Sequence, residues 1–282
     1  MIKQKRLTKI VATMGPALDD KDMLRKVIQA GVNVFRSNFS HGVAADHELR
    51  INTAREIAKE GGTEVAILGD LQGPKIRVAR FKDKKIILKE GDEFSLDADH
   101  DTEAGTQEIV GLDYKDLPKD VCHGDTLLLD DGKIVFTVKE VIGTKIICSV
   151  DVGGELSNNK GINKQGGGLS APALTDKDRE DLKIALKLNV DFIAVSFPRS
   201  AADIFEARVL IKAAGGKAKI IAKIERAEAI PVIDEIISAS DGVMVARGDL
   251  AVEIGDAEVP AVQKLIIQRS RALNKPVITA TQ

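Results

Sequence analysis

Seven short runs rich in β-branched residues recur along this chain, and each ends in polar residues: "TKIVATMGP" (8–16), "VNVFRSNFSHG" (32–42), "TEVAILGD" (63–70), "DFIAVSFP" (191–198), "AKIIAKIE" (218–225), "DGVMVARGD" (241–249) and "KPVITATQ" (275–282). Between most of them lie stretches with helical spacing. "LDDKDMLRKVIQAG" (18–31) sets Leu24, Val27 and Ile28 on one face and closes on Gly31. "LTDKDREDLKIALKLNV" (174–190) opens with Thr175 as N-cap and acids in the first turn. Strand alternating with helix makes βα units and a parallel sheet, and near-continuous apolar strands suit a sheet covered on both faces. The polar residues fall at the C-terminal ends of the strands, the edge where α/β proteins carry their chemistry. Seven such strands favour a (β/α)8 barrel, incomplete here, over a doubly wound sheet.

Residues from about 75 to 171 break this rhythm. "KIILKEGDEFSLD", "DTLLLDDGKIVFTVKEV" and "TKIICSVDVGGEL" read as short antiparallel strands, with "DDGK" as a hairpin turn. The expected organisation is therefore a first barrel part (1–73), an inserted all-β lid (74–171) and a second barrel part (172–282). "QGPK" would be the outgoing hinge and "QGGGLSAP" (165–172) the flexible return. Without the insert, roughly 185 residues remain against roughly 250 for a complete barrel. The expectation is an N-terminal piece of a longer protein, whose open barrel edges need a partner.

Composition excludes several partners. The 282 residues carry 41 basic and 43 acidic side chains, which gives no gross attraction to nucleic acid or a membrane surface. One Tyr and no Trp leave no aromatic platform for bases. Cys122 and Cys148 form no CxxC, so no zinc knuckle or disulfide framework is indicated. The opening "MIKQKRLTKI" lacks the roughly 7–15 apolar residues of a secretory signal. A cytoplasmic protein is expected.

Two constellations carry chemistry. Lys223 and Glu225 lie two apart on a strand and project to one face, and the next strand run brings Arg247 and Asp249 to the same rim. Glu225 and Asp249 make a sparse all-oxygen site of the kind Mg²⁺ takes, with Lys223 beside it to stabilise charge on a phosphoryl group. The spacing fits a salt-bridged rim, Lys223–Glu225 and Arg247–Asp249, equally well. In "FRSNFSHG", Arg36, Asn38 and Ser40 share a face, with Phe35 and Phe39 opposite. That set reads as an anion or cation cradle, or as polar groups satisfying loop backbone. His41 is an acid–base candidate or a hydrogen-bonding turn residue. "RGD" follows a buried strand and is not an adhesion signal, and "GGG" lacks the GK[ST] of a phosphate loop.

"ATMGP", "FRSNFSHG", "GDLQGPKIR", "LSNNKGIN", "IIAKIER", "DGVMVARGDLAVEI" and "KPVITATQ" resemble the pyruvate kinase family in order and spacing along essentially the whole chain. The resemblance implies a (β/α)8 domain with a β-barrel lid, and a C-terminal regulatory domain that this sequence lacks. It implies transfer of the phosphoryl group of phosphoenolpyruvate to ADP, giving pyruvate and ATP, in a homotetrameric parent protein. Glu225 and Asp249 match the divalent-metal (Mg²⁺ or Mn²⁺) ligands. Lys223 matches the lysine that stabilises the phosphoryl in flight, and Arg36 an arginine on the phosphate. The Gly248 and Asp249 N–H groups and Thr281 match the substrate side. His41, Arg77 and, from the lid, Lys160 match the nucleotide side, which Asn38 borders. Asn38, Ser40, Asp70 and the Leu71 carbonyl match the monovalent-cation site.

One position departs from the commonest family pattern. The better-known members read "DTKGPEIR" where this chain reads "DLQGPKIR". In the family, lysine at that position accompanies independence from K⁺. An ammonium from Lys75 near Asp70 can supply the unit charge K⁺ otherwise brings, or Lys75 points into solvent from the hinge. Two rival readings stand beside the kinase: another Mg²⁺-dependent barrel enzyme of phosphoenolpyruvate or pyruvate, a lyase or aldolase, and an inactive folding fragment.

Overall fold

The computed structural model describes residues 6–280. The chain begins with β1 (Val11–Thr13), α1 (Lys21–Gln29), β2 (Val34–Asn38), α2 (Ala44–Glu60) and β3 (Ala66–Asp70). The inserted segment contributes β4 (Lys85–Leu88), β5 (Glu93–Asp97), β6 (Ile109–Gly111), the single turn α3 (Leu117–Asp120), β7 (Thr126–Leu129), β8 (Ile134–Ile142), β9 (Lys145–Val152), β10 (Gly154–Ser157) and β11 (Ile162–Lys164). The alternation then resumes with α4 (Asp176–Lys187), β12 (Phe192–Ser196), α5 (Ala201–Ala213), β13 (Lys219–Ile224), α6 (Ile233–Ala239), β14 (Gly242–Val245), α7 (Arg247–Ile254), α8 (Val259–Ala272) and β15 (Val277–Thr279).

The seven apolar runs make one parallel sheet in the order β1-β2-β3-β12-β13-β14-β15, a nearly closed barrel. Strands β3 and β12 are neighbours although the insert separates them in sequence, with Phe192 opposite Leu68 and Ala194 opposite Asp70. Among the described residues β1 and β15 do not pair with each other.

Strand alternation sorts the side chains. Ile67, Ile193, Val195, Ile220, Ala222, Val243 and Val245 face outward into the main core beneath the helices. Leu68, Ala194, Ile221 and Met244 face inward and form a separate small core with Val11 and Val34. Two residues on along each strand, the same inward face carries Thr13, Arg36, Asp70, Ser196 and Lys223. The barrel interior is thus an apolar layer capped by a polar one at the C-terminal end of the strands.

Local signals set the helix starts. Asp20 caps α1 by accepting from the Asp22 and Met23 N–H groups at 2.7 and 3.0 Å. At α4 the expected cap is Thr175, whose Oγ1 accepts from the Asp178 N–H while the Asp178 carboxylate accepts from the Thr175 N–H at 2.9 Å. The other Asp178 oxygen accepts from the Gly73 N–H at 3.0 Å, which ties the outgoing connection to this helix.

The insert has its own core, built around Phe94, Leu96, Leu127, Phe136 and Cys148. Its main sheet runs β11-β7-β8-β9-β5-β6, with β10 and β4 paired separately. The β7–β8 turn falls on "DDGK", where Asp130, Asp131 and Gly132 all take positive φ. The sheet is mixed: β5 and β6 pair in parallel, against the antiparallel expectation. The connection between them is long enough to bring the chain back to its starting end, so no tight hairpin forces the opposite direction.

Candidate active site

The polar layer closes into one network. Arg36 donates from Nε to Asp70 Oδ2 at 2.5 Å and from a terminal nitrogen to Thr13 Oγ1 at 3.1 Å. Asp70 is fully buried. Ser196 Oγ stands 3.4 Å from its second oxygen, and Lys223 Nζ stands 3.7 Å from Oδ2. Ser196 donates to the Leu71 carbonyl at 2.7 Å and accepts from Lys223 at 3.3 Å. One buried carboxylate therefore sits between two cations and orients both.

Glu225 lies just past the end of β13, with no exposed surface. Its Oε2 accepts from the Phe197 N–H at 3.0 Å, and its Oε1 stands 2.8 Å from Lys223 Nζ. Phe197 holds that N–H in place from a left-handed conformation, φ 53°. For a bulky residue such a backbone costs roughly 1–3 kcal/mol. Burial pushes the Glu225 carboxyl up to about 8 against the pull of Lys223, and Asp249 and Asp70 push the same way. Burial alone would lower Lys223, but Glu225 and Asp70 outweigh it and hold its ammonium above the ordinary lysine range.

Strand β14 ends at Val245, and Arg247–Ile254 is a helix, so Asp249 sits in the first turn of α7 and not on a strand end. The Arg247–Asp249 bridge does not form, because Arg247 Nε donates to the Ala280 carbonyl at 2.7 Å. Among the described residues no three His, Cys, Asp or Glu side chains gather as a metal cluster. Glu225 and Asp249 fit a divalent cation that takes few protein ligands. Glu225 Oε1 is buried without a well-directed hydrogen bond, and Asp249 adds to the rise in the Glu225 carboxyl where a cation would relieve it.

The other expected residues are distributed as follows. Ser40 lies in the turn after β2, out of strand period, with its N–H accepted by Asn38 Oδ1 at 3.1 Å. His41 is exposed in the same turn. Arg77 is in the outgoing segment, its N–H donated to Asp113 at 2.7 Å, and Lys160 in the insert pairs with Asp130 at 2.7 Å. Neither makes a hydrogen bond or ion pair to the polar layer among the described residues. Gly248 follows Arg247 at the start of α7. Thr281 lies outside the described residues. Lys75 is exposed and lines a cleft with Asp131, Gly161, Asp249 and Glu253, while Asp70 is engaged by Arg36 and Lys223.

The model of the pyruvate kinase barrel domain matches residues 5–282. The chain belongs to the pyruvate kinase family. It is 59% identical to the pyruvate kinase of Haemophilus influenzae over 285 aligned residues, covering all of this chain and 60% of that protein. It is 58% identical to pyruvate kinase II of Salmonella typhimurium, again over the whole chain and 59% of that protein. Against the pyruvate kinase of Corynebacterium glutamicum identity is 47%, covering 98% of this chain and 58% of that protein. The chain thus spans about three fifths of the length of these relatives.

Within this pyruvate kinase barrel, four rim residues escape a motif-by-motif reading: Ser196, Phe197, Arg226 and Glu253. Ser196 is reachable from sequence as the polar end of an apolar strand; the other three owe their place to packing. Arg226 is 3% exposed, and burial pulls its guanidinium below the ordinary arginine range. Glu253 is buried, and its Oε2 accepts from the Ala227 N–H at 2.8 Å. Burial pushes its carboxyl up to about 7, with Glu228 adding to the rise and the Ala227 N–H, Arg226 and Asn163 opposing it. The native state therefore keeps a proton between about pH 4.5 and 7 that the unfolded chain has released, and stability from this group falls as pH rises through that window. Glu253→Gln retains an acceptor for Ala227. It is expected to match the parent protein near pH 4.5 and to be more stable at pH 8 by on the order of 2–3 kcal/mol, read from urea midpoints; equal stability at pH 8 would refute the burial argument.

Proposed function

We propose that this chain carries the phosphoryl-transfer centre of a pyruvate kinase, moving the phosphoryl group of phosphoenolpyruvate to ADP to give pyruvate and ATP. The observation that carries the reading is the juxtaposition of Arg36, Asp70 and Lys223 inside the barrel with Glu225 at its rim. Glu225 and Asp249 would hold Mg²⁺ or Mn²⁺, which as a Lewis acid lowers the charge on carboxylate and phosphoryl oxygens.

The residues of the chain do the rest. Lys223 meets the phosphoryl group while the bond from phosphorus to the enol oxygen breaks and the bond to a β-phosphate oxygen of ADP forms. Its ammonium, held charged by Asp70 and Glu225, neutralises the oxygens in flight. Arg36, oriented by Asp70, binds the phosphate before transfer. The N–H groups of Gly248 and Asp249 at the start of α7 suit the substrate carboxylate, and Thr281 borders the substrate. His41, Arg77 and Lys160, with Asn38, form the nucleotide side. The enolate left behind takes a proton at carbon. The insert (74–171) acts as a lid that excludes water, since water would otherwise compete for the phosphoryl group.

The deciding experiment is pyruvate release from phosphoenolpyruvate by the chain with Mn²⁺, with and without ADP. Release only with ADP supports the kinase; equal release without it would be transfer of the phosphoryl group to water, giving inorganic phosphate, and would overturn the kinase reading. The reading extends to a cytoplasmic enzyme whose whole protein assembles as a homotetramer. No described helix is long and apolar enough to cross a membrane.

K⁺ is not required on this reading: Lys75, exposed in the cleft beside Asp249, would turn toward Asp70 and supply the unit positive charge at the position bounded by Asn38, Ser40, Asp70 and the Leu71 carbonyl. Turnover in tetramethylammonium buffer should equal turnover with K⁺. Lys75→Glu should lower activity without K⁺ about ten-fold or more, one ion's interaction at this range being worth over 1 kcal/mol, and added K⁺ should restore it. A K⁺ requirement in the unsubstituted protein would overturn the assignment.

A further inference from the structure

Both connections between barrel and insert meet at one place on the rim. The return segment passes through Gly166, Gly167 and Gly168, all at positive φ, and then forms a row of contacts with the barrel. Glu228 accepts from the Gly168 N–H, and a Cβ on Gly167 would lie 2.3 Å from the Glu228 carboxylate carbon. The Gly166 N–H is accepted by the Glu253 carbonyl at 3.2 Å. Arg226 donates to the Leu169 carbonyl at 3.0 Å and to the Ala171 carbonyl at 3.5 Å. The outgoing segment presses on the same spot, since a Cβ on Gly73 would come within 2.9 Å of the Phe197 ring.

Arg226 and Phe197 themselves stack, with the guanidinium carbon 5.7 Å from the ring centroid. Arg226 is buried and forms no ion pair within the salt-bridge distance among the described residues; its hydrogen-bond partners are backbone carbonyls of the return segment. A buried guanidinium is an expensive way to satisfy two carbonyls. The same two residues also bracket Glu225. Arg226 is its chain neighbour, and Phe197 donates its N–H to Glu225 Oε2 from a conformation that leaves little freedom.

We propose that Arg226 and Phe197 form a joint through which the position of the insert and the geometry of Glu225 are set together. They are positioning residues, acting through Glu225 and the 165–171 segment. With Arg226 clamping Leu169 and Ala171, and Glu253 and Glu228 holding Gly166 and Gly168, the return segment is tied to the barrel from 166 to 171. Any pull on the clamp reaches Phe197, and with it the N–H that aims the Glu225 carboxylate. Coupling of this kind is reciprocal: what orders Glu225 must order the return segment by the same free energy. The inference rests on the reading of Glu225 as a cation ligand.

The test uses the full chain with Mn²⁺ alone, its affinity read by electron paramagnetic resonance and its effect on the segment by amide hydrogen exchange. Mn²⁺ is expected to slow exchange at Gly166–Ala171. In Arg226→Ala that protection should vanish and Mn²⁺ affinity should fall about five-fold or more; Arg226→Lys, which keeps one donor, should fall between. From the other side, Gly167→Ala should weaken Mn²⁺ although it touches neither acid. Protection undiminished in Arg226→Ala, or Mn²⁺ that binds without slowing exchange in the unsubstituted chain, would overturn the joint while leaving the metal site standing. Failure of Mn²⁺ to bind at all would overturn both. Circular dichroism melts accompany each variant, and a variant that unfolds is replaced in the comparison by Arg226→Lys.

Discussion

Lys223→Met is expected to lower the rate of phosphoryl transfer about 10³-fold or more while changing the phosphoenolpyruvate KM far less. The reason is where the charge is needed. Lys223 stands 2.8 Å from Glu225 and 3.7 Å from Asp70, at the largely buried end of the barrel, and it is held there by both carboxylates. Fixed donors in such sites contribute mainly in the transition state, and losing one costs about 10²–10³ in kcat. A full positive charge on a transferring phosphoryl group belongs at the upper end or beyond. Steady-state kinetics separates the alternatives, because a loss confined to KM would mean that Lys223 only binds substrate. A kcat within about ten-fold of the parent would remove Lys223 from the mechanism altogether.

Asp70→Ala carries the second large effect, this time on folding. Asp70 is buried and stands between Arg36 and Lys223, with Ser196 on its other oxygen. Removing it leaves Arg36 without its carboxylate and Lys223 with Glu225 alone, beside a buried cavity. Breaking a buried pair from one side costs about 3–5 kcal/mol, and here two cations share the loss. The urea midpoint should fall accordingly, and Asp70→Asn, which keeps a hydrogen-bond acceptor, should recover part of the difference. A loss under about 1 kcal/mol would mean that Arg36 and Lys223 find other partners.

The barrel and most of the polar layer were legible in the sequence because they follow from period-2 alternation. Leu68 and Asp70, or Ile221, Lys223 and Glu225, share a face by covalent geometry alone, and the chain needs only to form a strand to align them. The "DDGK" hairpin and the Thr175 cap were legible for the same reason: backbone and side chain act within four residues. Where that reach ended, the reading failed. Ser40 drifts out of period because the strand stops at Asn38. Asp249 lies on a helix because the chain turns at Ala246. Arg247 spends its guanidinium on Ala280, a residue brought close only by the pairing of β14 and β15.

The sequence by itself determined the alternation of strands and helices, the inserted β-rich segment, and the identity of the charges at the strand ends, since each depends on neighbours along the chain. Only the tertiary structure decided how those charges are shared: that Asp70 takes Arg36 and Lys223 while Lys75 stands exposed, that Phe197 adopts a left-handed backbone to reach Glu225, and that Arg226 is buried against the return segment. Those choices are made by contacts between residues from 28 to 153 positions apart in the chain, where electrostatics and burial act through space and no local pattern records them.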